Sequence, residues 1–116
     1  MISTKRFFLT AFVSVLSVYS LSAAAEEIKA NNLRYVNARW EEGKEKTVSF
    51  RKDGKNWEEH NQWNGKRFTW EETNKDEWSV YLKMGVDKAQ IDLHTKKVIF
   101  ERNGKKEEAS IFDIKG

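Results

Sequence analysis

Three dipeptides, Asp53-Gly54, Asn64-Gly65 and Asn103-Gly104, punctuate a run of short alternating segments. Each suits a two-residue type I′ hairpin, in which both central residues need φ > 0. A two-residue loop fixes which residues face each other, so the register can be worked out from the sequence. Around Asp53-Gly54 it sets Phe50 opposite Trp57; around Asn64-Gly65, Trp63 opposite Lys66 and Glu59 opposite Trp70; around Asn103-Gly104, Val98 opposite Ala109. Loops at Gly85 to Lys88 and Thr95-Lys96 set Leu82 opposite Ile91 and Ile91 opposite Phe100, and Trp40 is paired with Val48.

All these hairpins agree on one apolar face: Val36, Trp40, Val48, Phe50, Trp57, Phe68, Trp70, Trp78, Val80, Leu82, Ile91, Leu93, Val98, Phe100 and Ile111. The other phase of the third and fourth segments reads Glu58, His60, Gln62, Arg67, Thr69 and Glu71, wholly polar. A one-residue slip would invert every one of these assignments. The segments are 33–42, 46–52, 55–63, 66–73, 77–84, 88–94, 97–102 and 105–114, with no proline in the chain. Eight sequential antiparallel strands with one wet face have an edge problem, which closure solves. The expected fold is all-β: a small eight-stranded antiparallel meander, closed or half-open as a barrel, over residues 33–116.

The N-terminus has a different character. Lys5 and Arg6 precede an uncharged apolar run from Phe7 to Leu21, followed by Ser22-Ala23-Ala24-Ala25. A basic region, an apolar stretch of this length and small residues at −3 and −1 match a secretory signal peptide, residues 1–25. This run of 15 residues would reach only ~22 Å as a helix, short of the ~30 Å hydrocarbon core. No membrane span is therefore expected after cleavage, and the mature protein is expected in an extracytoplasmic space, periplasmic or secreted. Residues 26–32 are expected as a flexible tail.

Removing residues 1–25 from the 116 leaves 91, one small domain, and lowers the net charge from +3 to about +1. A nearly neutral domain has no electrostatic footprint for nucleic acid. The chain has no cysteine, so packing, with all five tryptophans in the mature region, must supply what disulfides supply in many secreted domains.

No catalytic or metal-binding pattern is present, and no cofactor is expected. The two histidines, His60 and His94, lack metal-ligand spacing and read as solvent-facing. No serine sits in a Gly-x-Ser-x-Gly elbow. Glu59 and Glu72 fall on the core face near Trp70 and Trp57, where a buried carboxyl would act as an acid; the plainer expectation places them at a barrel rim or turns them outward at a bulge.

Two binding surfaces remain. Trp63, Lys66 and Arg102 share a phase and one end of the barrel, an aromatic and basic mouth for a carbohydrate or small anionic ligand. Leu33, Tyr35, Ile99, Phe112 and Ile114 are out of phase with the core, which predicts an outward apolar patch for a protein partner or self-association. The resulting expectation is an exported, non-enzymatic binding protein. A protein-partner role, inhibitor-like, immunity-like or homodimeric, stands ahead of the ligand role. Mass spectrometry of the exported protein should find an N-terminus at or near Glu26, and an intact Met1 would overturn the signal peptide.

Overall fold

The computed structural model describes residues 27–41 and 45–116; the expected signal peptide lies outside the described residues. Eight strands follow in chain order: β1 (Tyr35–Trp40), β2 (Thr47–Asp53), β3 (Asn56–Asn61), β4 (Arg67–Lys75), β5 (Ser79–Met84), β6 (Asp87–Asp92), β7 (Lys97–Arg102) and β8 (Lys105–Lys115). Each pairs antiparallel with its neighbour, and β1 pairs with β8, so the sheet is a closed barrel with no free edge.

The inward face is the one the alternation predicts. All fifteen residues of that face are either buried in the interior or packed against it. Phe100 is a hub, with Trp40, Phe50 and Trp70 at ring-centroid distances of 4.9, 5.8 and 6.3 Å. Trp57 and Trp70 are direct cross-strand partners and both fully buried.

The partners within that face differ from expectation at most hairpins. Phe50 stands opposite Glu59, Trp57 opposite Trp70, Leu82 opposite Ala89, Ile91 opposite Val98 and Ala38 opposite Val48. Only the β7–β8 hairpin has the expected register, Val98 opposite Ala109. The turns explain this. Asn103 and Gly104 both have positive φ, 52° and 76°, as a type I′ loop requires. At the β2–β3 turn Asp53 pairs with Asn56, so the loop is Gly54-Lys55, with φ positive only at Gly54. That is the Gly-first pattern of a II′ loop, and it slides the strands by two residues. Slips of two change partners and leave faces intact, because side chains alternate with period two.

Two bulges move residues across the wall. In the β1–β8 pairing Asn37 faces Asp113 while Ala38 faces Ile111, so Phe112 is the extra residue. Phe112 turns out, 50% exposed, beneath the Arg39 guanidinium at 4.6 Å. Ile111 and Ile114 both end up packed against the core. In the β4–β5 pairing Thr73 is extra, and Lys75 comes opposite the buried Val80.

The expected outward patch is therefore corrected in two members. Ile114 turns inward because the bulge switches the phase of β8. Leu33 is 1% exposed; it precedes β1, outside the alternation, and tucks under the barrel. Tyr35 and Ile99 are half-buried on the wall, with the Tyr35 hydroxyl donating to Asn37 Oδ1.

The segment expected as a flexible tail is held in place from Ile28 onward. Ala30–Asn32 form a 3₁₀ turn; Ala30 N donates to Glu77 O at 3.0 Å, and Lys29 Nζ pairs with Glu77 at 2.9 Å. Ala30 and Leu33, with Ile28 and Trp78 against them, close the end of the barrel where β1 begins.

Trp70→Ala should cost about 3–5 kcal/mol, as for a buried indole. Phe112→Asp should leave the fold intact while Ile114→Asp destabilises it strongly, both read from chemical denaturation. Equal effects of the two Asp variants would mean the bulge is misplaced.

Candidate functional site

The end opposite the N-terminal turn is open, and its chemistry is built on strand phase. Inward positions alternate along β3 as Trp57, Glu59 and Asn61, along β4 as Phe68 and Trp70, and along β7 as Val98, Phe100 and Arg102. A carboxylate and a guanidinium thus enter the barrel from different strands at the same end. Glu59 has no solvent exposure. Arg102 Nη2 donates to both of its oxygens at 2.7 Å, Trp70 Nε1 donates to Oε1 at 2.8 Å, and Asn61 Nδ2 to Oε2 at 3.1 Å. Only donors face the carboxylate. The Arg102 guanidinium is also flanked by aromatic rings, with centroids at 4.5 Å for Phe100, 5.3 Å for Phe68 and 5.5 Å for Trp70.

Glu59 is therefore neither at the rim nor turned outward, contrary to the plainer expectation. An inward-phase Glu and an inward-phase Arg near one end were the available signal. The Trp70–Glu59 contact expected from a direct pairing does form, but diagonally, across the two-residue slip.

A similar arrangement occupies the other end. Trp57 Nε1 donates to Glu72 Oε1 at 2.9 Å, Lys52 Nζ approaches the same oxygen at 3.0 Å, and Lys75 lies 3.6 Å from Oε2. Burial pushes the Glu72 carboxyl up, but hydrogen bonds from Trp57 and Lys52, with the charges of Lys52 and Lys75, outweigh it and hold it below its ordinary value.

Above the Glu59–Arg102 pair lies a cleft of about 870 Å³, within the size range of small-molecule sites. Trp63, Lys66 and Arg102, the three residues predicted to share a mouth, all border it. Trp63 stands in the β3–β4 loop, 50% exposed, with Lys46 Nζ 4.7 Å from its ring centroid. The loop is pinned by Gly65 N donating to Asn61 O at 2.8 Å and Lys66 N to Asn64 Oδ1 at 2.9 Å. Trp40, Lys46, Asn61, Lys106 and Glu107 also line the cleft; they come from strand ends and a loop gathered at one end of the barrel. By contrast, the five residues of the expected apolar patch are not assembled on one surface, since Leu33 is buried and the half-buried Ile114 packs against the core.

His60 is half-buried on the wall and His94 exposed in a turn. Among the described residues no group of three or more acidic, His or Cys side chains is placed to hold a metal ion, and no helix is long and apolar enough to cross a membrane. Comparison with protein families, with curated proteins and with solved structures returned no match.

Removing one member of a buried ion pair strands the other. Arg102→Ala should therefore cost about 3–5 kcal/mol, whereas Glu59→Gln with Arg102→Met, which removes both charges and keeps an amide oxygen to accept from Trp70 Nε1, should cost less than the single change. At the other end, the lowered Glu72 value gives stability that is present above the usual glutamate value of about 4.3 and is lost as pH falls through the folded value. Glu72→Gln should flatten that acid limb, and an unchanged pH profile would contradict the Glu72 cluster.

Proposed function

We propose that this chain is an exported, non-enzymatic binding protein that takes a carbohydrate or small anionic ligand in the open mouth of its barrel. The observation that carries the reading is the convergence of Trp63, Lys66 and Arg102 on one cleft. An exposed indole offers a flat apolar face, and lysine and arginine supply donors. Polar groups of this kind, few and convergent around an aromatic, are what orient a small ligand. The packed aromatic interior below leaves the mouth as the binding volume. Export rests on the signal peptide expected at residues 1–25.

The protein-partner reading, ahead on sequence, keeps Phe112, Tyr35 and Ile99 on the outer wall but loses Leu33 to the interior and has Ile114 packed against the core. That reduces the apolar area available for burial, and the mouth now stands first.

Titration of the mature domain with a broad glycan panel, including anionic members, should change tryptophan fluorescence. Trp63→Ala should remove that signal and weaken binding roughly tenfold, an aromatic contact of about 1.4 kcal/mol. Unchanged binding in Trp63→Ala would overturn the mouth reading. A concentration-dependent dimer abolished by Phe112→Asp would return the partner role to first place.

A further inference from the structure

Resting on the reading of the barrel mouth as a ligand site, we infer that the site selects an acidic saccharide. A sugar ring lies against Trp63, its hydroxyls bond to the cleft floor, and its anionic substituent meets a lysine rim.

The floor decides between a sugar and a simple anion. Three residues lining the cleft each carry a buried side-chain atom with no hydrogen-bond partner among the described residues: Trp40 Nε1, Asn61 Oδ1 and Arg102 Nε. All three residues border the cleft, and they are tied together beneath it. Asn61 and Arg102 both donate to Glu59 Oε2, and Trp40 and Arg102 both lie on the Phe100 ring, at 4.9 and 4.5 Å. Asn61 is only 5% exposed, and its amide nitrogen is already committed to Glu59. Two of the unmet atoms are donors and one is an acceptor. Sulfate offers acceptors alone and leaves Asn61 Oδ1 unmet. A hydroxyl accepts and donates at once, so neighbouring sugar hydroxyls match the mixed set, and meeting buried polar groups is what interiors demand.

The rim decides between a neutral and an acidic sugar. Of the charged residues lining the cleft, Glu41 and Glu108 are drawn to Lys97, and Arg102 is neutralised by Glu59. One lysine offsets only one of those two carboxylates, so among the described residues Lys46, Lys66 and Lys106 face Glu107 and one further negative charge, an excess of one positive charge on a nearly neutral domain. Lys46 sits beside the Trp63 ring, which puts a cation next to the aromatic face.

The test is calorimetric titration of the mature protein with uronic-acid and sulfated trisaccharides, each paired with its neutral form, and with inorganic sulfate. Acidic members should bind about tenfold or more tighter than their neutral partners, one charge-assisted contact in size. That preference should fade at high salt, and sulfate alone should bind far more weakly. Lys66→Gln with Lys106→Gln should erase the acid preference, bringing the acidic and neutral forms to equal affinity. Trp40→Phe, which keeps the ring and deletes the donor, should weaken every sugar alike, with circular dichroism checking the fold of each variant. Equal binding of acidic and neutral forms, or sulfate binding as tightly as the sugars, would overturn the inference and leave the mouth reading standing. No binding across the panel would overturn both.

Discussion

Glu59 is a charged side chain with no access to water, inside a barrel filled mainly by aromatic and aliphatic groups. Burying an isolated carboxylate is expensive, and only a counter-charge with further donors offsets it. That requirement reaches three strands. Arg102 enters from β7, Trp70 from β4 and Asn61 from the end of β3, while Phe100 and Phe68 form the bed on which the guanidinium rests. The cluster stops the aromatic packing short of one end and leaves polar groups facing upward. The other end lacks this problem at its outermost layer, and Ala30, Leu33 and Trp78 cap it with apolar surface.

The fold was legible because its two strongest signals are local and agree. Alternation assigns faces, and turn residues assign neighbours. The face assignment survived errors in partner assignment because each slipped hairpin moved by two residues. At the β2–β3 turn the reason is visible: glycine at the first loop position gives a different loop from glycine at the second, and Gly54 takes the first while Gly104 takes the second. A dipeptide alone does not distinguish Asp53-Gly54 from Gly54-Lys55. Closure and the capped end are long-range outcomes, set by how β1 meets β8 and by a segment before β1 that carries no alternation at all.

The candidate site was partly legible for the same reason. Trp63, Lys66 and Arg102 flank two turns at one end, and end-membership follows from strand direction alone. Lys46 joins Trp63 through the β2–β3 register and Lys106 joins Arg102 through the β7–β8 hairpin, and closure brings Trp40 and these two halves of the mouth together. The outward patch failed where alternation failed: the extra residue at Phe112 reverses the phase of β8, so Ile111 and Ile114 both serve the core. No residue type in Ile111-Phe112-Asp113-Ile114 marks a bulge by itself.

An even number of strands has a further consequence for how the barrel is held. The chain enters at Leu33 and leaves at Lys115 on the same rim, where Arg34 N donates to Lys115 O at 2.9 Å. That rim is the capped one. Anything joined to either terminus therefore projects from the sealed base, and the cleft points the opposite way. A surface to which the protein is attached by one end, whether a bead or a fused domain, presents the opening outward like a cup set on its foot.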